Sequence, residues 1–260
     1  MKHLNIFIAF LILISASTFV AFTYESHDHS GDEIVDLAIK AAGGDVIANS
    51  TIEFKFRKHY YEATRKDGNV TMKKCFDKDC SGQRDVLINS DFSRFGPSRE
   101  DPNKVVEIEI AEDKKARMSG GVNSVHYFSI LPYNLKDGAV KKELVGTVEL
   151  KGEPYYTVKV TFEKEGGGED HDDEYLYWFH KDTYKLDYLA YNYQVSGGGT
   201  RFREAFNERI INGVRIADYN NYKPMDKFPP LNTLGEKLEA GELKLLSVIA
   251  MEDVEVTPVK

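Results

Sequence analysis

Apolar and polar residues alternate with a period of two along most of the chain after residue 50. In the first such run, Ile52, Phe54 and Phe56 point to one side, and the charged residues between them point to the other. The alternation is densest between Tyr155 and Tyr222, where runs of tyrosine, valine and phenylalanine end at turn signals. This pattern predicts a mainly β protein whose central part is an antiparallel meander.

Turn residues divide the alternating stretches into separate strands. Asp67-Gly68-Asn69 and Asn212-Gly213 predict hairpins, because both central positions of such tight turns favour positive φ. The predicted strands include 70–76, 144–150, 155–163, 175–180, 185–195 and 244–256, with two or three more strands within 84–118.

Three stretches lack this alternation and predict helical or irregular structure. Residues 32–44 carry acids in the first turn, an apolar stripe through Ile34 and Leu37, and glycine at the end. Residues 122–135 predict a short helix or an irregular segment that packs its aromatic side chains inward, and 234–240 predict a short helix. The expected fold is a curved antiparallel sheet, an open half-barrel, with the N-terminal helix and one or two short helices covering its concave face.

Symmetric turns would determine which residues of the meander share a face. One face would hold Leu189 and Tyr191 with three opposed pairs: Tyr193 with Arg203, Asp187 with Arg209 as an ion pair, and Trp178 with Asp187. The other face would hold Tyr175, Tyr177, Phe179, Tyr188, Phe202, Glu204, Phe206 and Glu208. A sheet with one solvated face separates polar from apolar residues more cleanly, so we expect both faces to be partly covered.

This mixture of side chains predicts a ligand cavity on the concave side, roofed by the N-terminal helix and the aromatic segment near His126. The residues expected to line it are His126, Phe128, Trp178, Tyr188, Tyr191, Arg203, Glu204 and Phe206. Glu204 lies between two phenylalanines and would be costly to bury unpaired. It is therefore either a functional acid or, if a turn carries a bulge, a residue that faces water.

Composition argues against one class of partner, and the amino terminus predicts the compartment. The net charge of −8 and the absence of a basic stripe argue against a nucleic-acid partner. Lys2 and His3 precede an apolar run and then small residues, which predicts a signal peptide over 1–23 and export to the periplasm. An uncleaved membrane anchor is the alternative, because apolar residues resume at 19–22. Residues 24–260 contain no linker and predict a single soluble β-rich domain.

Two groups of residues suggest covalent or metal chemistry. Cys75 and Cys80 predict a disulfide in an oxidising compartment, whereas half a zinc site would need two further ligands. Asp170, His171 and Asp173 could hold a cation, although their glycine-rich acidic segment equally fits a solvated turn.

Catalytic motifs are scarce. Ser124 and His126 would share a face in an extended segment, which is the minimum for a nucleophile and its base, but no nucleophile elbow accompanies them. The sequence predicts no cofactor and leaves enzymatic activity open.

Several segments resemble a family of exported bacterial proteins known as DUF6503, whose function is unassigned. They are Ser124-Val-His-Tyr-Phe-Ser-Ile-Leu-Pro-Tyr-Asn-Leu, Tyr177-Trp-Phe-His-Lys-Asp and Gly197-Gly-Gly-Thr-Arg-Phe-Arg-Glu-Ala-Phe-Asn-Glu-Arg. The order of helix, hairpins, Leu-Pro-Tyr segment and strands around Trp178 also resembles, more distantly, the LolA/LolB type of periplasmic lipoprotein carrier. That resemblance implies a LolA-like curved sheet with an apolar cavity for acyl chains.

The leading hypothesis is an exported soluble protein that holds a lipid or a lipoprotein acyl chain in its concave face. One alternative is an extracytoplasmic enzyme or metal protein that uses His171 with its acidic neighbours, or His126 with Glu204. The other is a cell-envelope interaction module whose exposed tyrosines and arginines contact a protein or a glycan.

Overall fold

The computed structural model describes residues 29–163, 173–194 and 197–259, and about half of them form two antiparallel sheets of seven strands each. The first sheet contains β1 (Ser50–Phe56), β2 (His59–Lys66), β3 (Asn69–Cys75), β4 (Arg84–Ile88), β5 (Asp91–Pro97), β6 (Val105–Ile108) and β14 (Glu252–Pro258), in the order β14-β1-β2-β3-β4-β5-β6. The second contains β7 (Val140–Leu150), β8 (Glu153–Phe162), β9 (Tyr175–His180), β10 (Leu186–Tyr193), β11 (Gly199–Ile211), β12 (Val214–Lys223) and β13 (Lys244–Ile249), in the order β13-β12-β11-β10-β9-β8-β7. The prediction of a mainly β, open antiparallel fold is confirmed.

Chain connectivity is simple, because every pair of neighbouring strands except β1 and β14 is consecutive in sequence. The two sheets meet at the last strands. After β13 the chain passes through Ala250 and Met251 and continues as β14 in the other sheet.

Four helices accompany the sheets in the described part of the chain: α1 (Gly31–Ala41), α2 (Gly44–Ile47), α3 (Glu112–Ser129) and α4 (Leu234–Glu239). The predicted N-terminal helix is confirmed: Ser30 and Glu33 form a capping box at its start, and Ile34 is buried on its apolar side. Gly43 ends it with φ of +84°, and a Cβ there would lie 2.1 Å from the carbonyl oxygen of Gly213. Glycine at this position therefore allows the helix end to dock on the β11–β12 turn.

The region between β5 and β7 differs from the sequence expectation. Three strands lie within 84–118, as expected, but they end at Ile108. A single helix of 18 residues, α3, then begins at Glu112 and includes the first part of the short helix or irregular segment expected from 122. Only Val122 and His126 of α3 are fully buried, and Gly120-Gly121 interrupts its middle, so the sequence carries little helical periodicity. The helix packs against β3 and β4.

Each sheet has an inner face, which we define as the face that packs against α1 or α3, and an outer face. The inner core of the second sheet includes Val158, Tyr177, Phe179, Leu189 and Tyr219, packed on Ile34 and Val35 of α1. The outer core of the same sheet includes Leu176, Trp178, Tyr188, Ala190 and Phe202. It is covered by Leu231 and by Leu234, the first residue of α4. Both faces of this sheet are therefore covered, as expected, although α4 covers the outer one.

The register expected from symmetric turns is wrong. Tyr193 pairs with Gly199 rather than with Arg203, because Gly199 is already the first residue of β11. A bulge between Leu186 and Tyr188 also pairs Trp178 with Tyr188 instead of Asp187. Trp178 consequently lies on the face opposite to Leu189.

The expected ion pair between Asp187 and Arg209 is also wrong. The β10–β11 ladder pairs Tyr188 with Glu204, so its register differs by four residues from the one that would place Asp187 opposite Arg209. Asp187 instead accepts a hydrogen bond from Arg215 at 3.1 Å, and Arg209 is paired with Asp218.

The predicted disulfide between Cys75 and Cys80 is confirmed. The predicted signal peptide over 1–23 lies outside the described residues. Among the residues that are described, no helix is long and apolar enough to cross a lipid bilayer.

Candidate functional site

A cavity of about 350 Å³ lies between the inner faces of the two sheets, beside the C-terminal half of α3. Aromatic rings form much of its wall: Phe54 and Phe56 from β1, Phe128 from α3, Tyr191 from β10 and Tyr219 from β12. Ile249 of β13 and Met251 close the side at which the two sheets join. Its volume falls within the range of about 300–1,000 Å³ that is typical of small-molecule sites.

Three neighbouring strands place one polar group at the centre of this wall. Leu189 of β10 pairs with Arg203 of β11, which in turn pairs with Asn221 of β12. Tyr191 and Tyr219 lie two positions along their strands, and side chains two apart share a face. The period-two pattern therefore directs Arg203 and Asn221 into an otherwise aromatic cavity.

Arg203 is buried, with 9% of its surface exposed. Its guanidinium carbon lies 4.0 Å from the ring centre of Phe128 and 5.3 Å from that of Tyr191, and Nη2 donates to the Tyr191 hydroxyl at 3.0 Å. Its Nε has no hydrogen-bond partner among the described residues, and none of these residues forms an ion pair with it. Among the described residues, the charge is stabilised by two ring faces and one tyrosine hydroxyl, and by no carboxylate.

Asn221 adds a second incompletely satisfied group. Its side-chain nitrogen donates to the hydroxyl of Ser247 at 3.2 Å. Its side-chain oxygen is buried without a partner in the part of the chain that the structure describes. Buried polar atoms normally have partners, so both this oxygen and the Arg203 Nε are exceptions that require an explanation.

The charges around the cavity are all of one sign. Arg203 lies within it and the exposed Arg57 at its wall, and no Asp or Glu is found among its described lining residues. The chain as a whole carries 42 acidic and 34 basic residues. A cavity lining that contains arginine but no carboxylate therefore differs in charge from the rest of the chain.

The structure brings together only some of the residues predicted to bind a ligand. Phe128, Tyr191 and Arg203 line the cavity. Trp178 and Tyr188 are buried in the outer core below α4, on the other side of the second sheet. There, burial raises the pKa of Tyr188 to about 12, and the nearby carboxylates of Glu204 and Asp187 add to the shift.

Glu204 and Phe206 also lie away from the cavity. Phe206 is 38% exposed. Glu204 is mostly buried, forms an ion pair with Lys151 and accepts a hydrogen bond from the hydroxyl of Tyr222 at 3.1 Å. Glu204 is therefore a paired structural residue, and neither of the two roles considered from the sequence describes it.

His126 faces the first sheet from α3. It is 1% exposed, its Nε2 lies 3.0 Å from the backbone oxygen of Lys73, and its ring contacts Phe54 and Tyr61 edge to face. Burial lowers its pKa to about 4. Ser124 lines the cavity instead, because residues two apart on a helix point in different directions, so the nucleophile and base pair does not form.

The expected acidic metal site cannot be located, because Asp170 and His171 lie outside the described residues. Asp173, which is described, is buried. Elsewhere in the described ranges, no three His, Cys, Asp or Glu side chains come together as a metal site.

Sequence reasoning did not identify Phe54, Tyr219, Asn221, Ser247 and Met251 as cavity residues. The alternation Ala217, Tyr219, Asn221 after the Asn-Gly turn was a usable signal for the inner face of β12. The bulge in β11 concealed which residues of β11 share that face.

A family model described as a family of unknown function (DUF6503) matches residues 43–253. The chain belongs to the DUF6503 family. A search of curated proteins found no match.

Solved structures show a related fold at low sequence identity. A LolA superfamily protein from Nitrosomonas europaea has a TM-score of 0.50 and 13% identity, over 89% of this chain and 96% of that one. This similarity supports the predicted LolA-like fold. A DUF1329 family protein from Desulfovibrio piger has a TM-score of 0.48 and 13% identity, over 86% and 92% of the two chains. A lipoprotein-sorting protein domain from Vibrio parahaemolyticus, named as putative, has a TM-score of 0.42 and 10% identity, over 78% and 97%.

Proposed function

We propose that this DUF6503 protein is an exported binding protein that holds a hydrophobic ligand, a lipid or the acyl chain of a lipoprotein, in the cavity between its two sheets. The observation that carries the proposal is the aromatic lining contributed by β1, α3, β10 and β12. Concave, largely apolar sites with a few polar groups are the usual form of small-molecule sites.

The physical driving force is the removal of apolar ligand surface from water. Each methylene group that enters such a cavity contributes about 0.8 kcal/mol. Affinity is therefore expected to rise with chain length until the cavity is full. At the wall, Met251 has a flexible side chain and Phe128 is partly exposed. Both properties suit ligands that differ in shape.

Two further features support an exported carrier. The apolar amino-terminal segment fits a signal peptide, and residues 24–260 would then form the mature domain in the periplasm. The LolA-like fold provides two sheets around an inner space. Partners in this proposal are a lipid, a lipoprotein or an envelope protein that delivers or receives the ligand.

Binding of N-phenyl-1-naphthylamine, a neutral apolar fluorophore, tests the proposal. The purified protein should bind it with enhanced fluorescence, and Ser124→Trp should weaken binding at least tenfold, about 1.4 kcal/mol, by filling the cavity. Asn123→Trp is the matched control. It is the adjacent exposed position of α3 but lines a different groove, so its affinity should equal that of the wild type.

Two results would count against the proposal. The first is an absence of fluorophore binding together with an absence of lipid in mass spectra of protein purified without detergent. The second is equal weakening by the two tryptophan substitutions, which would place binding outside the cavity.

A further inference from the structure

We infer that the cavity selects a single-chain amphiphile with an anionic head, and that Arg203 binds the head group. This inference rests on the proposed function, since it assigns the chemical class of the ligand for the same cavity. It also makes a separate claim, because a cavity for neutral lipids would need no buried cation.

The state of Arg203 is the first argument. A buried charge is costly unless a partner of opposite sign compensates it. Arg203 is 9% exposed, and the described residues offer it two aromatic rings and one tyrosine hydroxyl but no carboxylate. An anion that enters the cavity would supply the missing partner.

Arg215 on the neighbouring strand β12 shows how this chain satisfies a buried arginine elsewhere. Its Nε donates to Glu208 at 2.7 Å and its Nη2 to Asp187 at 3.1 Å. Two adjacent strands thus carry two buried arginines, one paired twice within the protein and the other left open towards a cavity.

The geometry of the free donor is the second argument. Nε of Arg203 is buried and has no partner among the described residues, and Nη2 donates to Tyr191. Guanidinium groups bind carboxylate and phosphate through parallel N–H donors, and these charge-assisted hydrogen bonds are stronger than those between neutral groups. The second side-chain N–H of Asn221, which is in register with Arg203, would donate to the same head group, whereas its oxygen is an acceptor and takes no bond from an anion.

Cavity size is the third argument. A volume of about 350 Å³ lies at the lower end of the range of about 300–1,000 Å³ for small-molecule sites. This size favours one alkyl chain with a small head group over several acyl chains. The ligand class is therefore a single-chain carboxylate such as a fatty acid, or a single-chain phosphate.

Displacement of N-phenyl-1-naphthylamine by four dodecyl compounds at pH 8 tests the inference. Dodecanoate and dodecyl phosphate carry anionic heads, dodecanol is neutral, and dodecyltrimethylammonium is cationic. We expect at least one anionic compound to bind about 10- to 100-fold more tightly than dodecanol, as expected for hydrogen bonds to charged groups. Dodecyltrimethylammonium should bind least tightly, and the ratio between dodecanoate and dodecyl phosphate identifies the head group.

Substitutions assign the selectivity to Arg203. Arg203→Gln should abolish the preference for the anionic compounds while affinity for dodecanol stays within about twofold, and Arg203→Lys should retain part of the preference. Arg201→Gln is the matched control. Arg201 lies two positions earlier on β11 and stacks on Tyr193, but its donors are satisfied by Tyr193 and the Thr200 backbone.

Equal affinities for dodecanoate, dodecyl phosphate and dodecanol would overturn the inference and leave the proposed function standing. An anion preference that survives Arg203→Gln, or that Arg201→Gln removes equally, would also overturn it. Failure of the fluorophore and all four compounds to bind would instead remove the proposed function itself.

Discussion

The carboxylate of Asp218 on β12 accepts a hydrogen bond at 3.0 Å from the backbone amide of Met251, the residue through which the chain passes from the second sheet to the first. Arg209 donates to both oxygens of Asp218 at 3.0 and 3.1 Å and to the Met251 carbonyl at 3.0 Å. One buried carboxylate and one arginine therefore fix the backbone at the wall of the cavity.

Asp218→Asn should lower the free energy of unfolding by about 3 kcal/mol, because it removes the charge that Arg209 and the Met251 amide share. Urea denaturation at pH 7 measures this. Glu252→Gln is the control, because Glu252 forms an exposed ion pair with Lys55. This substitution should lower the free energy of unfolding by less than about 1 kcal/mol. Equal effects of the two substitutions would contradict the role assigned to Asp218.

The two buried arginines of β11 and β12 should respond oppositely to removal of their charge. Arg203→Met should change the free energy of unfolding by less than about 1 kcal/mol or raise it, because Arg203 has no ionic partner among the described residues. Arg215→Met should lower it by about 3 kcal/mol, because Asp187 and Glu208 lose their shared partner. Thermal and urea denaturation of the ligand-free protein measure both. A large loss in Arg203→Met would show that Arg203 serves stability rather than ligand binding.

His126 should make the protein less stable in mild acid. Its folded pKa, about 4, lies below the usual value near 6.5, because the buried ring disfavours a charge. The unfolded chain therefore takes up a proton first, and stability that is complete above pH 6.5 is lost progressively towards pH 4. Between pH 7.5 and 5 the expected loss is about 2 kcal/mol.

Denaturation of wild type and His126→Leu at both pH values isolates this contribution, which the variant should lack, whereas the part due to His59, whose pKa burial also lowers, should remain. Asp218 does not interfere. Burial acts to raise its pKa, but hydrogen bonds from Arg209, the Met251 amide and Asn207 lower it below the usual value, so its contribution is lost only in stronger acid. A pH dependence that is the same in both proteins would refute the assignment.

The disulfide between Cys75 and Cys80 should contribute about 2 kcal/mol, because it closes a small loop in the unfolded chain. The double substitution Cys75→Ser with Cys80→Ser should lower the free energy of unfolding, measured by urea denaturation, by that amount. Dithiothreitol should destabilise the wild type to the same extent and leave the double variant unchanged. Insensitivity of the wild type to reduction would contradict this expectation.

Much of the fold could be predicted because its signals are local. The alternation around Phe54, the apolar stripe of α1, the Asn212-Gly213 turn and the spacing of the two cysteines each report on a few neighbouring residues. The faces of the meander could not be predicted in the same way. A bulge shifts the register by one residue and transfers all following side chains to the other face.

Two particular residues show the effect on the candidate site. Trp178 was expected beside Tyr191, but the bulge near Asp187 moves it to the outer core. Tyr219 alternates with Ala217 and Asn221 along β12, but the bulge before Arg209 conceals which residues of β11 share their face. The first half of helix α3 could not be predicted for another reason: the helix lies against the first sheet with few fully buried residues, and this charged half resembles a surface strand.

The pairing of β1 with β14 has a consequence for how the protein matures. Lys55 and Glu252 across this ladder are 197 positions apart, and such distant pairings form late because a long loop must close first. Until then β1 is an open edge able to recruit strands from other molecules. Truncation before Glu252 should therefore produce aggregation, because β1 would keep this open edge.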